Sequence, residues 1–398
     1  MIEVKNKIDC CGCTSCESIC PQNCIQMIKD NEGFLYPNVK KEKCINCNLC
    51  VKVCPIINNL KEVKKEQKAF LTNIKDESIR KQSAAGGAFT GIAQYVIEKN
   101  GVVYGAAFDE NFNVIHTHVE NKEDLFKLRS SKYVQSDLKN TFSEVKKYLE
   151  QKKDVCFSGL PCQVEGLKSF LRKEYPNLIT VDVACHAVPS PLVWEKYLSF
   201  IKSKLNANQI KRVVFRDKSK YGYKYSMMTI ETDNGIYSEG IDTDPYLRAF
   251  FSDLSDRPSC YNCKFKKQYR VSDFTIWDCF IVEKFDKNLD DDKGTTRVLI
   301  HSQKGYEIFN KIKDQYSFKE VEATDLVNNV KEMFYSVNEN KLRGKFFKDI
   351  NSMKEEEFFK KYFPRSTRVK LESFIRKFLV KTGSYKIVKK IAKKILQK

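Results

Sequence analysis

No run of eighteen uninterrupted apolar residues occurs among these 398, so the chain offers no helix that would cross a bilayer. Residues 1–9 are short, mixed in charge and without the apolar centre of a secretory leader. The expectation is a cytoplasmic protein in a reducing compartment. Histidine is scarce, four in all, and no Ser-His-Asp or Cys-His nucleophile arrangement is visible. His116 and His118 share one face of an expected strand and read as packed or solvated side chains. Only His186 stands out as a weak catalytic candidate, a proton donor. Repeats of solenoid length and compact nucleic-acid-binding motifs are also missing.

The charge, +19 in total, is unevenly spread. Residues 365–398 hold twelve Lys or Arg against one Glu and account for +11, leaving +8 for a body rich in both signs. That distribution speaks against nucleic acid as a partner. A mildly basic body suits acidic partners, such as a ferredoxin or flavodoxin acting as electron carrier, or phosphorylated cofactors.

What the chain does have is cysteine, sixteen of them. Cys10, Cys13, Cys16 and Cys20 precede Pro21, and Cys44, Cys47, Cys50 and Cys54 precede Pro55, two copies of C-x-x-C-x-x-C-x-x-x-C-P. This is the spacing of bacterial two-cluster 4Fe-4S proteins, in which three thiolates hold one cluster and the fourth crosses to the other. The expected sets are Cys10, Cys13, Cys16 with Cys54, and Cys44, Cys47, Cys50 with Cys20. Zinc sites usually separate two cysteine pairs by a long gap, which this pattern does not. Cys11 and Cys24 lie outside the register and read as small buried thiols.

Beyond residue 60 the composition changes to a polar, lysine-rich linker over 61–68. Ala69 to Thr72 reads as a strand. Phe89, Ile92, Ala93, Val96 and Ile97 then give an amphipathic helix that ends at Asn100-Gly101. Strands are expected at Val102 to Phe108 and Val114 to Val119, with a helix near Leu138 to Leu149. A β-loop-α-β unit follows: Val155 to Phe157, a helix over Val164 to Leu171, and Leu178 to Ala184. If these strands are parallel neighbours, Cys162 and Cys185 both emerge at the carboxyl edge of the sheet, where open α/β sheets build their sites. Strand and turn signals alternate from Val213 to Ile241, and a helical tail begins near Met353.

Six cysteines lie outside the N-terminal unit. Cys156 reads as core, and Cys260 and Cys263 form a chelating pair. With Cys162 and Cys185 that pair would make a four-thiolate site suited to iron–sulfur or zinc; the bland alternative is separate buried thiols.

Five blocks occur in order: Ser83-Ala-Ala-Gly86-Gly87-Ala-Phe-Thr90, Ser131-Lys132-Tyr133-Val-Gln135-Ser136, Ser158-Gly-Leu-Pro161-Cys162-Gln163, Asp182-Val-Ala-Cys185-His186-Ala-Val-Pro189-Ser190-Pro191 and Arg270-Val-Ser-Asp273-Phe-Thr275. Together they resemble the coenzyme F-420 hydrogenase/dehydrogenase beta-subunit family over about Ala69 to Ile300. The resemblance implies an oxidoreductase carrying FAD beside a third 4Fe-4S cluster, with an organic acceptor that is the deazaflavin F-420 in the founding enzymes. It assigns Cys162, Cys185, Cys260 and Cys263 to that cluster, and Gly86, Gly87, Ser131, Lys132, Tyr133 and Gln135 to the flavin. Gly86-Gly87 before a helix would also suit a phosphate by its own chemistry, or merely a tight turn. The chain departs from the family around Trp277-Asp278-Cys279-Phe280, so the acceptor is not legible, and Cys279 is a lower-ranked ligand candidate.

The expected architecture is a small two-cluster ferredoxin fold (1–60), a linker (61–68), and an α/β flavin and iron–sulfur module. That module divides into an N-terminal-like part (69–185) and a C-terminal-like part (186–350), and is followed by a basic helical tail (351–398). Electrons from a low-potential donor would reach an organic acceptor. Two rivals are an electron-transfer subunit serving another enzyme, such as one in cell-surface polysaccharide assembly, and a zinc-stabilised scaffold. In the tail, Ile387, Val388, Ile391, Ala392, Ile395 and Leu396 form one apolar face between lysines. Such a helix would lie on an anionic membrane surface or dock on the body.

Overall fold

The computed structural model describes residues 1–225, 227–385 and 387–389. The N-terminal unit is built on a hairpin of β1 (Ile25–Lys29) and β2 (Leu35–Val39), flanked by one-turn helices at Ser15–Ser18 and Leu49–Lys52. A unit this small has little apolar interior of its own. Its core is Ile2, Cys24, Ile25 and Cys50, with most of the remaining motif cysteines packed around them.

The body is an eight-stranded mixed sheet of β3 (Lys68–Ile74), β4 (Val102–Phe108), β5 (Val114–Val119), β6 (Val155–Ser158), β7 (Leu178–Val183), and three later strands. A separate antiparallel sheet comprises β8 (Ile210–Asp217), β9 (Met227–Thr232) and β10 (Gly235–Gly240). The later strands of the main sheet are β11 (Phe274–Asp278), β12 (Thr296–Ile300) and β13 (Tyr316–Val321), and its order is β13-β3-β12-β11-β7-β6-β4-β5. The four inner strands β4, β6, β7 and β11 are parallel and the flanks antiparallel. Strands β6 and β7 are buried on both faces for most of their length, and the polar members of β7, Thr180 and Asp182, are bonded to Asp273 and Arg270. The Ala88–Ile97 helix lays Ile92, Ala93, Val96 and Ile97 onto one side of the sheet, in one cluster with Phe274, Val298 and Phe309. The Pro161–Leu171 helix packs Val164, Leu167 and Phe170 with Phe142 and Phe157.

The β6–helix–β7 unit is the parallel pair expected, so Cys162 and Cys185 both leave the carboxyl edge. The tail begins as two helices. Glu355–Tyr362 buries Phe358 and Phe359 against the Pro191–Leu205 helix, whereas Thr367–Lys381 buries no side chain. That last helix is tied to the small sheet by Arg376 to Asp242 and Lys377 to Glu239. Of the tail stripe expected from sequence, Ile391, Ala392, Ile395 and Leu396 lie outside the described residues.

Docking of the N-terminal unit depends on a close approach at Gly166, in the middle of the Pro161–Leu171 helix. A Cβ there would lie 2.8 Å from Cys13 Cβ and 2.9 Å from Ser15 Oγ, and Ser15 Oγ donates to the Gly166 carbonyl at 2.9 Å. The segment after Leu60 runs without regular structure along residues 264–270. Glu62 accepts from the Gln268 and Tyr269 amides, and Lys267 and Lys65 donate to the Leu60 and Arg270 carbonyls, respectively. Alanine at an open helical position would stabilise by about 1 kcal/mol relative to glycine. At this seam Gly166→Ala is expected to destabilise by about 1–3 kcal/mol instead, read as a lower thermal midpoint and faster protease cleavage between residues 58 and 68.

Candidate metal centres

The crossed cysteine sets separate cleanly in space. Cys10, Cys13, Cys16 and Cys54 line one cavity of about 380 Å³ together with Ile2, Met27 and Ile56. Cys20, Cys44, Cys47 and Cys50 line a second, beside Ile25 and Val39. Here the Ile2 amide donates to Cys50 Sγ at 3.2 Å. Cys47 is exposed, and Lys40, Lys41, Lys43 and Lys52 stand exposed around that end. Cys24 Sγ lies 3.4 Å from Cys20 Sγ, so this extra thiol borders the second cage rather than sitting apart from it.

A third constellation assembles from distant sequence. Cys162, Cys185, Cys260 and Cys263 line one pocket with Pro161, Ala187, Val188 and Phe265. Three kinds of element supply them: the first turn of a helix with Pro at its start (Cys162), the turn after β7 (Cys185), and a short 3-10 turn over Pro258–Asn262 with its C-cap (Cys260 and Cys263). Burial pushes the Cys185 thiol up to about 11 and Cys260 well above its ordinary value, so loading this cage releases protons. Cys11, read from sequence as a small buried thiol, lines this pocket as well as the first and packs in one cluster with Cys13, Phe265 and Cys162. Cys279 lies elsewhere, buried with Val282 and Leu299, and its amide donates to the Thr295 carbonyl.

Three cations that follow Cys263 fasten the third cage. Lys266 Nζ donates to the carbonyls of Cys185, His186 and Glu332. Lys267 pairs with Glu165 at 2.9 Å, three residues beyond Cys162, and both are buried. Arg270 pairs with Asp182 at 3.0 Å, three residues before Cys185, and donates to the Val183 carbonyl. Burial raises the Asp182 carboxyl, and Arg270 opposes that rise. Thr275 also donates to Asp182 and meets His301 Nε2 at 2.8 Å.

Arg257 links the first and third cages and was not singled out from sequence. It is buried, donating Nε to the Cys10 carbonyl (2.8 Å), Nη1 to Gln135 Oε1 (2.9 Å) and Nη2 to the Leu35 carbonyl (2.8 Å). Its guanidinium lies 4.3 Å from the Tyr36 ring centre. A buried, fully donating arginine with a run of carbonyl partners is a tertiary solution, and no local spacing announces it.

Of the residues expected around a flavin, Gly86, Gly87, Lys132, Tyr133 and Gln135 each make contacts within the protein itself. Gly86 donates to Thr296 Oγ1 at 2.8 Å, and a Cβ on it would fall 2.1 Å from the Thr72 carbonyl oxygen. Its lack of a side chain is therefore explained by contact with β3 and β12, and the tight-turn alternative describes it. Gly87 takes φ 88° at the start of the Ala88–Ile97 helix, against Ile74. Gln135 is buried and engaged by Arg257 and the Cys11 carbonyl. Ser131 is half-buried. Lys132 donates to the Arg129 carbonyl at 3.0 Å, and burial pulls its ammonium down to about 7. Tyr133 stacks on Phe250 at 4.9 Å and accepts from Arg216. His186 meets Asp253 Oδ1 at 2.9 Å and Phe250 edge-on.

His116, expected to be merely packed, belongs to a chain of hydrogen bonds that shapes the Cys162 turn. Its Nε2 faces the Ser158 carbonyl at 3.0 Å and so carries the proton, which leaves Nδ1 to accept from Ser136 Oγ at 2.8 Å. Gln163 donates to Ser136 Oγ and accepts from the Leu160 amide. His118, on the same strand, stays half-exposed with Glu120 3.8 Å away.

Two thiol cages of ferredoxin spacing and a third at the edge of an α/β sheet define an iron–sulfur protein of the electron-transferring oxidoreductase type. Residues 152–325 match the family described as the C terminus of the coenzyme F-420 hydrogenase/dehydrogenase beta subunit, and residues 9–57 match the 4Fe-4S dicluster domain. The coenzyme F-420-dependent sulfite reductase of Methanocaldococcus jannaschii is 25% identical over 328 residues, 79% of this chain and 48% of the relative. The chain therefore spans about half the length of that curated relative. A solved chain from the F-420-reducing NiFe hydrogenase complex of Methanosarcina barkeri aligns with 18% identity and a TM-score of 0.42, covering 75% of this chain and 91% of that one.

Burial holds the His116 imidazole down at about 4, against 6.5 when exposed. The unfolded chain therefore takes up a proton that the folded chain refuses between about pH 6.5 and 4. The stability present above pH 6.5 is lost on acidification through that window, by up to about 3 kcal/mol. His116→Gln is expected to flatten this part of the stability–pH curve in denaturant titrations, even where it lowers stability at pH 7.

Proposed function

We propose that this chain is an oxidoreductase subunit that gathers single electrons at the exposed end of its dicluster unit and delivers them at the sheet edge to an organic acceptor. The carrying observation is continuity. Cys11 lines both the first and the third cavity and packs in one cluster with Cys13 and Cys162, and Arg257, buried, donates to the Cys10 carbonyl and lines the third. The donor sets fit: four soft thiols around each cavity, in apolar surroundings, suit iron–sulfur ligation. When loaded, the cages would supply one-electron transfer. Cys10, Cys13, Cys16 and Cys54 would hold one cluster, Cys20, Cys44, Cys47 and Cys50 the second, and Cys162, Cys185, Cys260 and Cys263 the third. The exposed lysines around Cys47 favour an acidic donor such as a ferredoxin or flavodoxin.

FAD belongs to this proposal as the group that would convert single electrons to a two-electron reduction, with Ser131, Lys132 and Tyr133 beside it. A second reading, a flavin-free electron-transfer subunit serving another enzyme, is favoured by the engagement of Gly86 and Gln135 in the protein's own contacts. Anaerobic reconstitution with iron, sulfide and FAD, quantified per chain, separates them. About twelve irons with one flavin is the expected outcome. Twelve without flavin selects the second reading, and eight in the wild type removes the third cluster. Cys260→Ser is expected to drop iron from about twelve to about eight.

The tail supports a peripheral membrane location at an anionic surface. Leu371, Phe374, Ile375 and Phe378 recur at i, i+3, i+4 and i+7 and are all exposed, Phe374 at 68%. Arg376 and Lys377 tie the helix to the body. This leaves an apolar stripe outward, flanked by exposed Arg368, Lys370 and Lys381, which is the arrangement of an interfacial helix. Sedimentation with phosphatidylserine-containing vesicles should retain the full chain and lose a version ending at Pro364. Equal recovery of both would remove this part of the proposal.

A further inference from the structure

Beside the third cage lies a group of donors that the thiol assignment does not use. His186, Asp253 and Asp256 each offer one ligand atom, all within 4.8 Å of one another. They come from the turn after β7 and from the segment leading to Cys260, so the group sits where the two halves of the cage meet. Asp256 is wholly buried, and neither of its carboxylate oxygens has a hydrogen-bond partner among the described residues. The nearby cations are directed elsewhere. Lys266 donates to the carbonyls of Cys185, His186 and Glu332, while Arg343 donates to Glu32 and to the Asp256 backbone carbonyl. Arg343 and Lys266 act on Asp256 only through space, and a buried carboxylate left without a donor is costly, a lack that a divalent cation would remedy.

We propose that His186, Asp253 and Asp256 form a mononuclear divalent-metal site, distinct from the thiol cages and taking a hard or borderline ion. One imidazole nitrogen with two carboxylate oxygens suits Mn²⁺, Fe²⁺ or Zn²⁺, with water completing the shell. Such an ion would join the Cys185 turn to the Cys260 segment, so its place is structural and electrostatic. The inference stands on these three residues and survives even if the third cage proves to hold no cluster.

Mn²⁺ is the probe of choice because it has little affinity for thiolates, so vacant cysteine sites do not compete. The full chain, reconstituted anaerobically with iron and sulfide and freed of loosely bound Fe²⁺ on a chelating resin, is titrated with Mn²⁺ alone, and free ion is followed by its electron paramagnetic resonance signal. Saturable binding of one Mn²⁺ per chain is expected, weakened at least about tenfold in both Asp256→Asn and His186→Gln at unchanged iron content. Absence of saturable binding, or binding that neither substitution alters, overturns the site. If Asp256→Asn does not fold, the half-buried His186→Gln decides alone.

Discussion

The third thiol cage depends on the disposal of three buried or half-buried cations that follow Cys263 within seven residues. Lys266, Lys267 and Arg270 reach in turn the carbonyls of the Cys185 turn, Glu165 on the Cys162 helix and Asp182 at the end of β7. Each charge would be costly alone in this interior, and each has found a partner beside Cys185 (Lys266 and Arg270) or Cys162 (Lys267). Removing Glu165 or Asp182 would leave an uncompensated charge beside the cage. The ligand loop is thus held by electrostatics that only close if the sheet edge, the helix and the loop are all in place.

The N-terminal unit is joined to this body by the same logic at a second point. Arg257 donates to the Cys10 and Leu35 carbonyls from the body side, and Arg343 forms a two-point pair with Glu32 in the β1–β2 turn. Gly166 allows backbone contact where any side chain would hold the two apart. A unit of about 60 residues with four core side chains gains stability by burying one face on a larger partner. The segment after Leu60, polar enough to suggest a free tether, follows a bonded path along residues 264–270. Fixing the unit this way keeps Cys11 packed between the first and third cages.

The sequence blocks that carry the family resemblance now have physical tasks, and most of them are fastening tasks. Ser136, Ser158 and Gln163 form the hydrogen-bonded frame of the Cys162 turn around His116. Asp182, Arg270 and Thr275 form the frame of the Cys185 strand, and Asp273 accepts from the Thr180 amide and hydroxyl across the β7–β11 pair. Gly86 is small because β3 and β12 leave no room for more. The region where the chain departs from the family is filled by its own rings: Tyr223 stacks on Phe280 at 4.9 Å, and Arg216 pairs with Asp278 beside them.

Sequence alone determined the ferredoxin unit with its crossed cysteine sets, the parallel β6–helix–β7 unit, and strands β4 and β5 to the residue. Those features rest on local signals: ligand spacing set by the shape of a metal cluster, and apolar periods of two or 3.6 residues. It also placed Cys162 and Cys185 on one edge, since parallel neighbours must end there. Tertiary structure decided the rest: that Cys11 lies between two cages, that Cys279 is core, that Gly86 and Gln135 serve the fold, and that Arg257, Lys266 and Asp256 matter at all. Their partners lie up to 247 positions away in the chain. Burial, charge balance and close approach are properties of the assembled interior, and no local window of sequence contains them.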